Sequence, residues 1–242
     1  MATQTSSAAQ KHQHLPVDAA QVFIVIPAYN EAARLGPVLD ALLPQYPNVV
    51  VIDDGSSDET AQVARQRGAV VLRHVINRGQ GAALQTGITY SLRAGAEYIV
   101  TFDADGQHNP ADLPAMLAPV AAGQCDVTLG SRFLGRAENM PLSRRLLLLA
   151  ARVFTYLTSG VKLTDTTTGL RVLSRRAAQC FRFRQDRMAY AAELFDQMRQ
   201  ASLTYREVPV TMVYTSETLA KGQRNRDAIS VAFHYLFGKV RQ

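Results

Sequence analysis

Residues 98–108 read YIVTFDADGQH and residues 22–31 read VFIVIPAYNE. Each is a short apolar run, rich in β-branched residues, that stops abruptly in polar and acidic ones. The apolar-polar alternation of a strand with one wet face is missing. Unalternating runs of this length are what strands buried on both faces of a parallel sheet look like. The same rhythm extends outward from these two. Val49–Ile52 ends in Asp53-Asp54-Gly55-Ser56-Ser57-Asp58, Ala69–Leu72 follows, and Val127–Leu129 ends in Gly130-Ser131-Arg132. Helical stretches separate the runs. Ser56 and Glu59 can form a capping box for one that closes at Gly68, and a second covers 81–93 and stops near Gly95. This alternation predicts a doubly wound α/β sheet. Farther on, Arg144–Leu157, Met188–Gln200 and Asp227–Val240 read as helices and Val208–Val213 as a strand. They complete a single domain over 21–242, and the polar residues 1–20 read as a mobile tail.

Composition narrows the class. Of 242 residues, 47% are hydrophobic and 19% charged, a profile that supplies a core and excludes disorder or a fibrous rod. The apolar run Leu146–Ala151 is bounded by Arg144, Arg145 and Arg152, well short of the ~20 residues a membrane span needs. The start carries no apolar stretch of a secretory signal. Cys125 and Cys180 have no C-x-x-C spacing, which points to a reducing cytoplasm. The net charge of +6 is unevenly spread: residues 1–130 hold 7 Lys+Arg and 12 Asp+Glu, residues 131–242 hold 19 and 8. A basic half asks for an anionic partner: nucleic acid, a phosphorylated substrate or a membrane surface. Aromatic residues are scattered and form no nucleic-acid-reading module, so nucleic acid is not expected.

In open parallel sheets ligands bind beyond the carboxyl ends of the strands, where four of the runs here place polar or acidic groups. Asp103 and Asp105, two residues apart just past a strand, can face one cavity. Their mutual repulsion calls for a cation, and Mg2+ or Mn2+ sits between carboxylates and substrate phosphates. Gln107 adds a neutral oxygen at the same spacing. Asp58 favours a helix N-terminus. Asp53 and Asp54 have no such local task and can accept hydrogen bonds from a nucleobase or ribose. A G-x-G-x-x-G fingerprint after the first strand is missing, which excludes a dinucleotide-binding oxidoreductase, and no P-loop is present. Haloacid-type phosphatases place their D-x-D near the chain start and follow it with Thr or Val, unlike this one.

Taken in order, PAYNE (27–31), DDGSSD (53–58), NRGQGAALQTG (77–87), DADGQH (103–108) and GSR (130–132) resemble family 2 glycosyltransferases of the GT-A fold. The similarity is greatest to dolichyl-phosphate mannose synthases and bacterial polyprenyl-phosphate glycosyltransferases, and DTTTGLR (165–171) and AAELF (191–195) extend it. The resemblance implies a mostly parallel sheet flanked by helices, with a nucleotide-sugar half over 21–130 and an acceptor half over 131–242. It implies that Pro27, Tyr29, Glu31, Asp53 and Asp54 line the nucleotide and that Asp103, Asp105 and Gln107 hold Mg2+ or Mn2+ and the diphosphate. Arg132, with Arg144 or Arg145, would bind an acceptor phosphate, and Asp165, Thr168 and Arg171 would shape the acceptor side. Lys221 or Arg224, in YTSETLAKGQR (214–224), would reach the donor phosphates. The reaction would be inverting transfer of a hexose, from UDP-glucose or GDP-mannose, to polyprenyl phosphate. For a glycan hydroxyl in cell-surface polysaccharide assembly, Asp165 or Glu193 would serve as base. A catalytically idle, membrane-docked subunit is the rival of another class. The apolar stripes over 146–157 and 227–240, the first flanked by Arg144, Arg145 and Arg152, suit the cytoplasmic face of an anionic membrane; the rival reading turns both toward the protein's own core, a separate membrane subunit or a second copy of the chain.

Overall fold

The computed structural model describes residues 17–183 and 190–214. Seven strands form one sheet: β1 (Val22–Ala28), β2 (Asn48–Asp53), β3 (Val70–Arg73), β4 (Tyr98–Thr101), β5 (Val127–Glu138), β6 (Arg171–Ser174) and β7 (Tyr205–Val213). Their spatial order is β3-β2-β1-β4-β6-β5-β7. β1 pairs in parallel with β2 and β4, and β2 with β3. β6 runs antiparallel to both β4 and β5, and β5 and β7 are parallel.

Alternate residues of β1 explain why its run is continuously apolar. Val22, Ile24 and Ile26 join a core with α1 (Ala32–Leu42), α2 (Thr60–Gln66) and α4 (Leu113–Ala121). Phe23 and Val25 join a second core on the other face with α3 (Gln80–Arg93), α6 (Arg175–Cys180) and α7 (Tyr190–Gln200). The remaining helix, α5 (Leu142–Ser159), follows β5 and packs beside α7. Among the described residues no helix is long and apolar enough to cross a membrane.

Several elements differ from the sequence reading. β3 is an edge strand with Val70 exposed, so its apolar run is not buried on both faces. β6 was not anticipated: it is four residues long and antiparallel, directly behind the TTTGL segment. β5 runs nine residues past Leu129, with a register shift against β7 between Ser131 and Arg136. Gly135 permits that irregularity, because a Cβ there would lie 2.3 Å from the Val210 carbonyl oxygen. The capping box at Ser56 does not form. The residue before α2 is Glu59, without a side-chain cap, and the Ser56 hydroxyl accepts the Asn30 N–H at 2.9 Å instead. Gly68 does follow the helix, at φ 85°. Residues 1–16 of the expected tail, the 227–240 helix and the first residues of the 188–200 helix lie outside the described residues.

Helix α3 lies close on the sheet because Gly87 faces it. A Cβ at that position would sit 2.3 Å from Val25 Cγ1 and 2.6 Å from Ile52 Cδ1, both fully buried. Gly87→Ala should therefore destabilise the protein by about 1–3 kcal/mol through overpacking, despite alanine's better helix propensity. Urea unfolding monitored by circular dichroism measures it.

Candidate active site

The loops leaving β1 and β2 are laced together. The Asn30 N–H donates to Ser56 Oγ, the Glu31 N–H to Thr60 Oγ1, and Asn30 Oδ1 accepts from the Ser57 N–H, at 2.9 Å each. Asp58 accepts from the Thr60 N–H at 3.0 Å, as its place near a helix start suggests, and also from the Ala32 N–H at 3.1 Å. Pro27 and Tyr29 stand on this rim, with Tyr29 exposed, and Glu31 is ion-paired to Arg34.

Asp53 and Asp54 have internal partners, which corrects the reading of both as carboxylates without a structural task. Asp53 accepts the Ser56 N–H at 2.9 Å and lies 3.0 Å from Arg73 Nε. Asp54 takes three donors: the Arg78 N–H at 3.0 Å, the Gly79 N–H at 2.6 Å and His74 Nδ1 at 2.7 Å. Both aspartates are buried. Their charge organises the loop that leads into α3.

Asp103 follows β4 and meets three other segments. Its Oδ1 accepts from Gln80 Nε2 at 3.2 Å, and its Oδ2 lies 2.9 Å from His108 Nε2. The carboxylate also rests against Gly169, where a Cβ would come within 2.2 Å of Oδ2. The Thr101 hydroxyl donates to the Gly169 carbonyl at 2.6 Å and fixes that approach. Asp105 accepts the Gln107 N–H at 3.0 Å, and Gln107 is itself buried, its carbonyl taking the Val213 N–H at 3.0 Å. The DADGQH turn is thus stitched to the end of β7.

The two carboxyls differ electrostatically. Burial pushes Asp103 up, but His108, Arg171 and Arg132 outweigh it and hold the group below its ordinary value. Asp105 is raised, by burial first, then by the charge of Asp103 and, more weakly, of Glu31. A carboxylate crowded by two like charges suits a divalent ion, and Asp103, Asp105 and Gln107 are the groups that could hold one. Among the described residues no cluster of three or more His, Cys, Asp or Glu side chains is poised for a metal. An ion bound at this pair would be held by two carboxylates and completed by substrate oxygens, as Mg2+ commonly is.

On the acceptor side, the structure brings Arg132 and Asp165 together. They form a buried pair, with Arg132 Nε 2.6 Å and Nη2 3.3 Å from the Asp165 carboxylate. Arg132 also donates to Tyr214 Oη at 2.5 Å and Thr167 Oγ1 at 3.0 Å. In this arrangement the guanidinium and the Asp165 carboxylate are each other's principal partners. Thr168 is buried within its turn, its hydroxyl taking the Leu170 N–H at 3.3 Å. Arg171, 2% exposed, lies under Tyr190, 5.7 Å from the ring centroid, and close enough to Asp103 to lower its pKa. Glu193 accepts from Gln197 Nε2 at 3.1 Å on α7. Arg144 and Arg145 lie on the first turns of α5, Arg145 exposed. Lys221 and Arg224 fall outside the described residues.

Sequence reasoning missed several organising residues. Glu207 accepts from the Thr164 N–H at 2.9 Å, the Thr164 hydroxyl at 2.7 Å and the Asp165 N–H at 3.0 Å, and so shapes the DTTTG segment from β7. No local pattern marks it. His108 belonged to a quoted motif, and its buried position beside Asp103 is the task that motif left open.

The description Glycosyl transferase family 2 fits residues 23–182. The chain is 29% identical to the UDP-N-acetylglucosamine–dolichyl-phosphate N-acetylglucosaminyltransferase of Methanococcus voltae, over 90% of this chain and 96% of that one. It is 32% identical to the undecaprenyl-phosphate mannosyltransferase of Micrococcus luteus, over 80% and 84%. The fold matches that of glucosyl-3-phosphoglycerate synthase from Mycobacterium tuberculosis, with a TM-score of 0.67 at 20% identity, covering 89% of this chain and 79% of that one. The GT-A architecture anticipated from the motifs is the one observed.

Because Gly169 admits Asp103 only by lacking a side chain, Gly169→Ala should displace the carboxylate. Affinity for Mn2+, read by electron paramagnetic resonance, should fall roughly 10–100-fold, the range seen when groups that orient a metal ligand are altered.

Proposed function

This chain belongs to glycosyl transferase family 2, and from that premise we propose that it transfers a hexose from a nucleoside-diphosphate sugar to polyprenyl phosphate. The observation that carries this reading is the Asp103–Asp105 pair at the carboxyl end of β4, with Asp105 pushed up by burial first and then by the charge of Asp103. Residues 21–130 would receive the nucleotide and 131–242 the acceptor. Support for the acceptor comes from relatives whose names specify dolichyl or undecaprenyl phosphate. Support for the donor and ion comes from the structural neighbour, which was crystallised with Mn2+ and UDP-glucose.

In the reaction an acceptor phosphate oxygen attacks the anomeric carbon and the bond from that carbon to the diphosphate breaks, with inversion. Charge then grows on the departing diphosphate. A Mg2+ or Mn2+ ion held by Asp103, Asp105 and Gln107 would supply electrophilic stabilisation of that charge. The chain's own cations add to it: Arg171 and Arg132 both raise the positive potential around Asp103. A lipid phosphate is already anionic near neutral pH, so no general base is needed to create the nucleophile. That requirement agrees with Asp165 being committed to Arg132. A glycan hydroxyl would need a base, and Glu193 would be the remaining candidate.

Helix α5 fits a lipid-borne acceptor. Leu142, Leu146, Val153, Tyr156 and Leu157 are exposed and fall on one helical face, with Arg145 and Arg152 along its edge and no acidic residue in the helix. Such a face suits the headgroup layer of an anionic membrane.

Two experiments test these points. The protein is incubated with Mn2+ or Mg2+, UDP- and GDP-sugars and undecaprenyl phosphate, and glycolipid formation is followed. Transfer is expected, and Asp105→Ala should lower it at least about 100-fold; an unchanged rate in that variant refutes the assignment of the acidic pair. In flotation, the protein should rise with phosphatidylglycerol vesicles at low salt, and Leu146→Glu should abolish this. Failure of the unaltered protein to float removes the membrane reading.

A further inference from the structure

The turn that leads into α3 is held from outside by a side-chain brace. His74, just past β3, places Nδ1 2.7 Å from Asp54 Oδ1 and Nε2 2.9 Å from Thr86 Oγ1 on α3. The Asp54 carboxylate faces the Arg78 and Gly79 N–H groups at 3.0 and 2.6 Å, so it acts purely as acceptor and Nδ1 carries a proton. Arg73, next to His74 in sequence, is committed to Asp53 and to the Ser56 carbonyl. Gly79 has φ 96° and ends the turn, and Gln80, the first residue of α3, donates to Asp103. A continuous chain of contacts therefore runs from His74 through Asp54, the Gly79 backbone and Gln80 to the carboxylate of the acidic pair.

We propose that His74 is a positioning residue for donor binding: it orients Asp54, which fixes the Arg78–Gly79 turn and so delivers the Gln80 amide to Asp103. The proposal rests on the transferase reading for the identity of the donor. Its structural half stands on amides that can be read without any substrate. A charge-assisted donor to a buried carboxylate is among the stronger hydrogen bonds, and removing it leaves Asp54 under-satisfied. The turn would then lose its fixed register.

Three substitutions separate bracing from filling space. In His74→Asn the side-chain amide occupies the place of Nδ1 and keeps the donor to Asp54. In His74→Gln the amide reaches the place of Nε2 and keeps only the Thr86 side. His74→Leu keeps bulk and no donor. Amide hydrogen exchange of the full chain, without ligand, should show Arg78 and Gly79 protected in the parent and in His74→Asn. Exchange should be about tenfold faster in His74→Gln and His74→Leu. Calorimetric affinity for UDP or GDP with Mn2+ should follow the same order, within about threefold of the parent for Asn and weakened about tenfold for Gln and Leu. If Gln or Leu performs as well as Asn in exchange, His74 only fills volume and the proposal falls. If exchange splits as expected while nucleotide affinity does not, the brace exists but does not position the donor site, which also overturns it. A chain that shows the expected exchange but transfers no sugar refutes the transferase reading instead.

Discussion

The close approach of Asp103 to the backbone of Gly169 is the constraint around which this rim is built. A carboxylate within van der Waals contact of a main-chain carbon leaves no room for any side chain there, and only glycine satisfies it. The consequence is topological. Gly169 precedes β6, which runs antiparallel between β4 and β5, so the segment behind the acidic pair enters the sheet from the opposite direction to the strands beside it. The hydroxyl of Thr101, on β4, closes the contact by binding the Gly169 carbonyl. A short antiparallel strand in an otherwise mostly parallel sheet is what brings the second half of the chain against the first.

Around that contact, charge is distributed rather than cancelled. Asp103 has His108 in hydrogen-bond contact and two buried arginines near it, and it stays ionised easily. Asp105 lies two residues on, with Asp103 and Glu31 opposing its ionisation. Unequal carboxylates of this kind often mark functional sites, where one group is stabilised by the fold and the other is left to a ligand. Burial of Arg132 would be costly if it stood alone, but the Asp165 pair, Thr167 and Tyr214 satisfy its donors. The pair thus contributes a net field shaped by the fold and ties the end of β7 to the DTTTG segment.

The sheet was legible because its strands are fully covered. Val22, Ile24 and Ile26 on one side and Phe23 and Val25 on the other need apolar neighbours on both faces, and the sequence must show it. β6 escaped because four residues carry little periodic signal, and one of them, Arg171, is a buried cation that reads as surface. Ser56 and Glu59 have capping-box spacing, yet the Ser56 hydroxyl is claimed by Asn30, 26 residues away. Local pattern cannot register that competition. The same holds for Asp54, whose partners are spread over 24 and 25 positions beyond it, and for Arg132 with Asp165, 33 apart. Position at the strand ends indicates the rim where the polar and acidic groups gather. Which of its charges face inward was decided by pairings that only the folded chain displays.

Those pairings also bear on the chemistry of the acceptor. An enzyme that must deprotonate a hydroxyl needs a carboxylate able to receive a proton near the reacting carbon. Asp165 has its oxygens engaged elsewhere: they accept from the Arg132 guanidinium and from the Thr167 N–H. Asp103 is a poor proton acceptor for a different reason: against the effect of burial, His108, Arg171 and Arg132 hold it below its ordinary value. A nucleophile that arrives already ionised asks instead for positive potential and for exclusion of water. Under the proposed transfer, Arg171 and Arg132, which lower Asp103, would supply the first, and the buried Thr166, Thr168 and Tyr190 would contribute to the second. The same economy explains why basic residues outnumber acidic ones in the half of the chain that would meet a phosphate. Their excess is spent partly inside, on Arg132 and Arg171, and partly along the exposed edge of α5, where Arg145 and Arg152 border an apolar face.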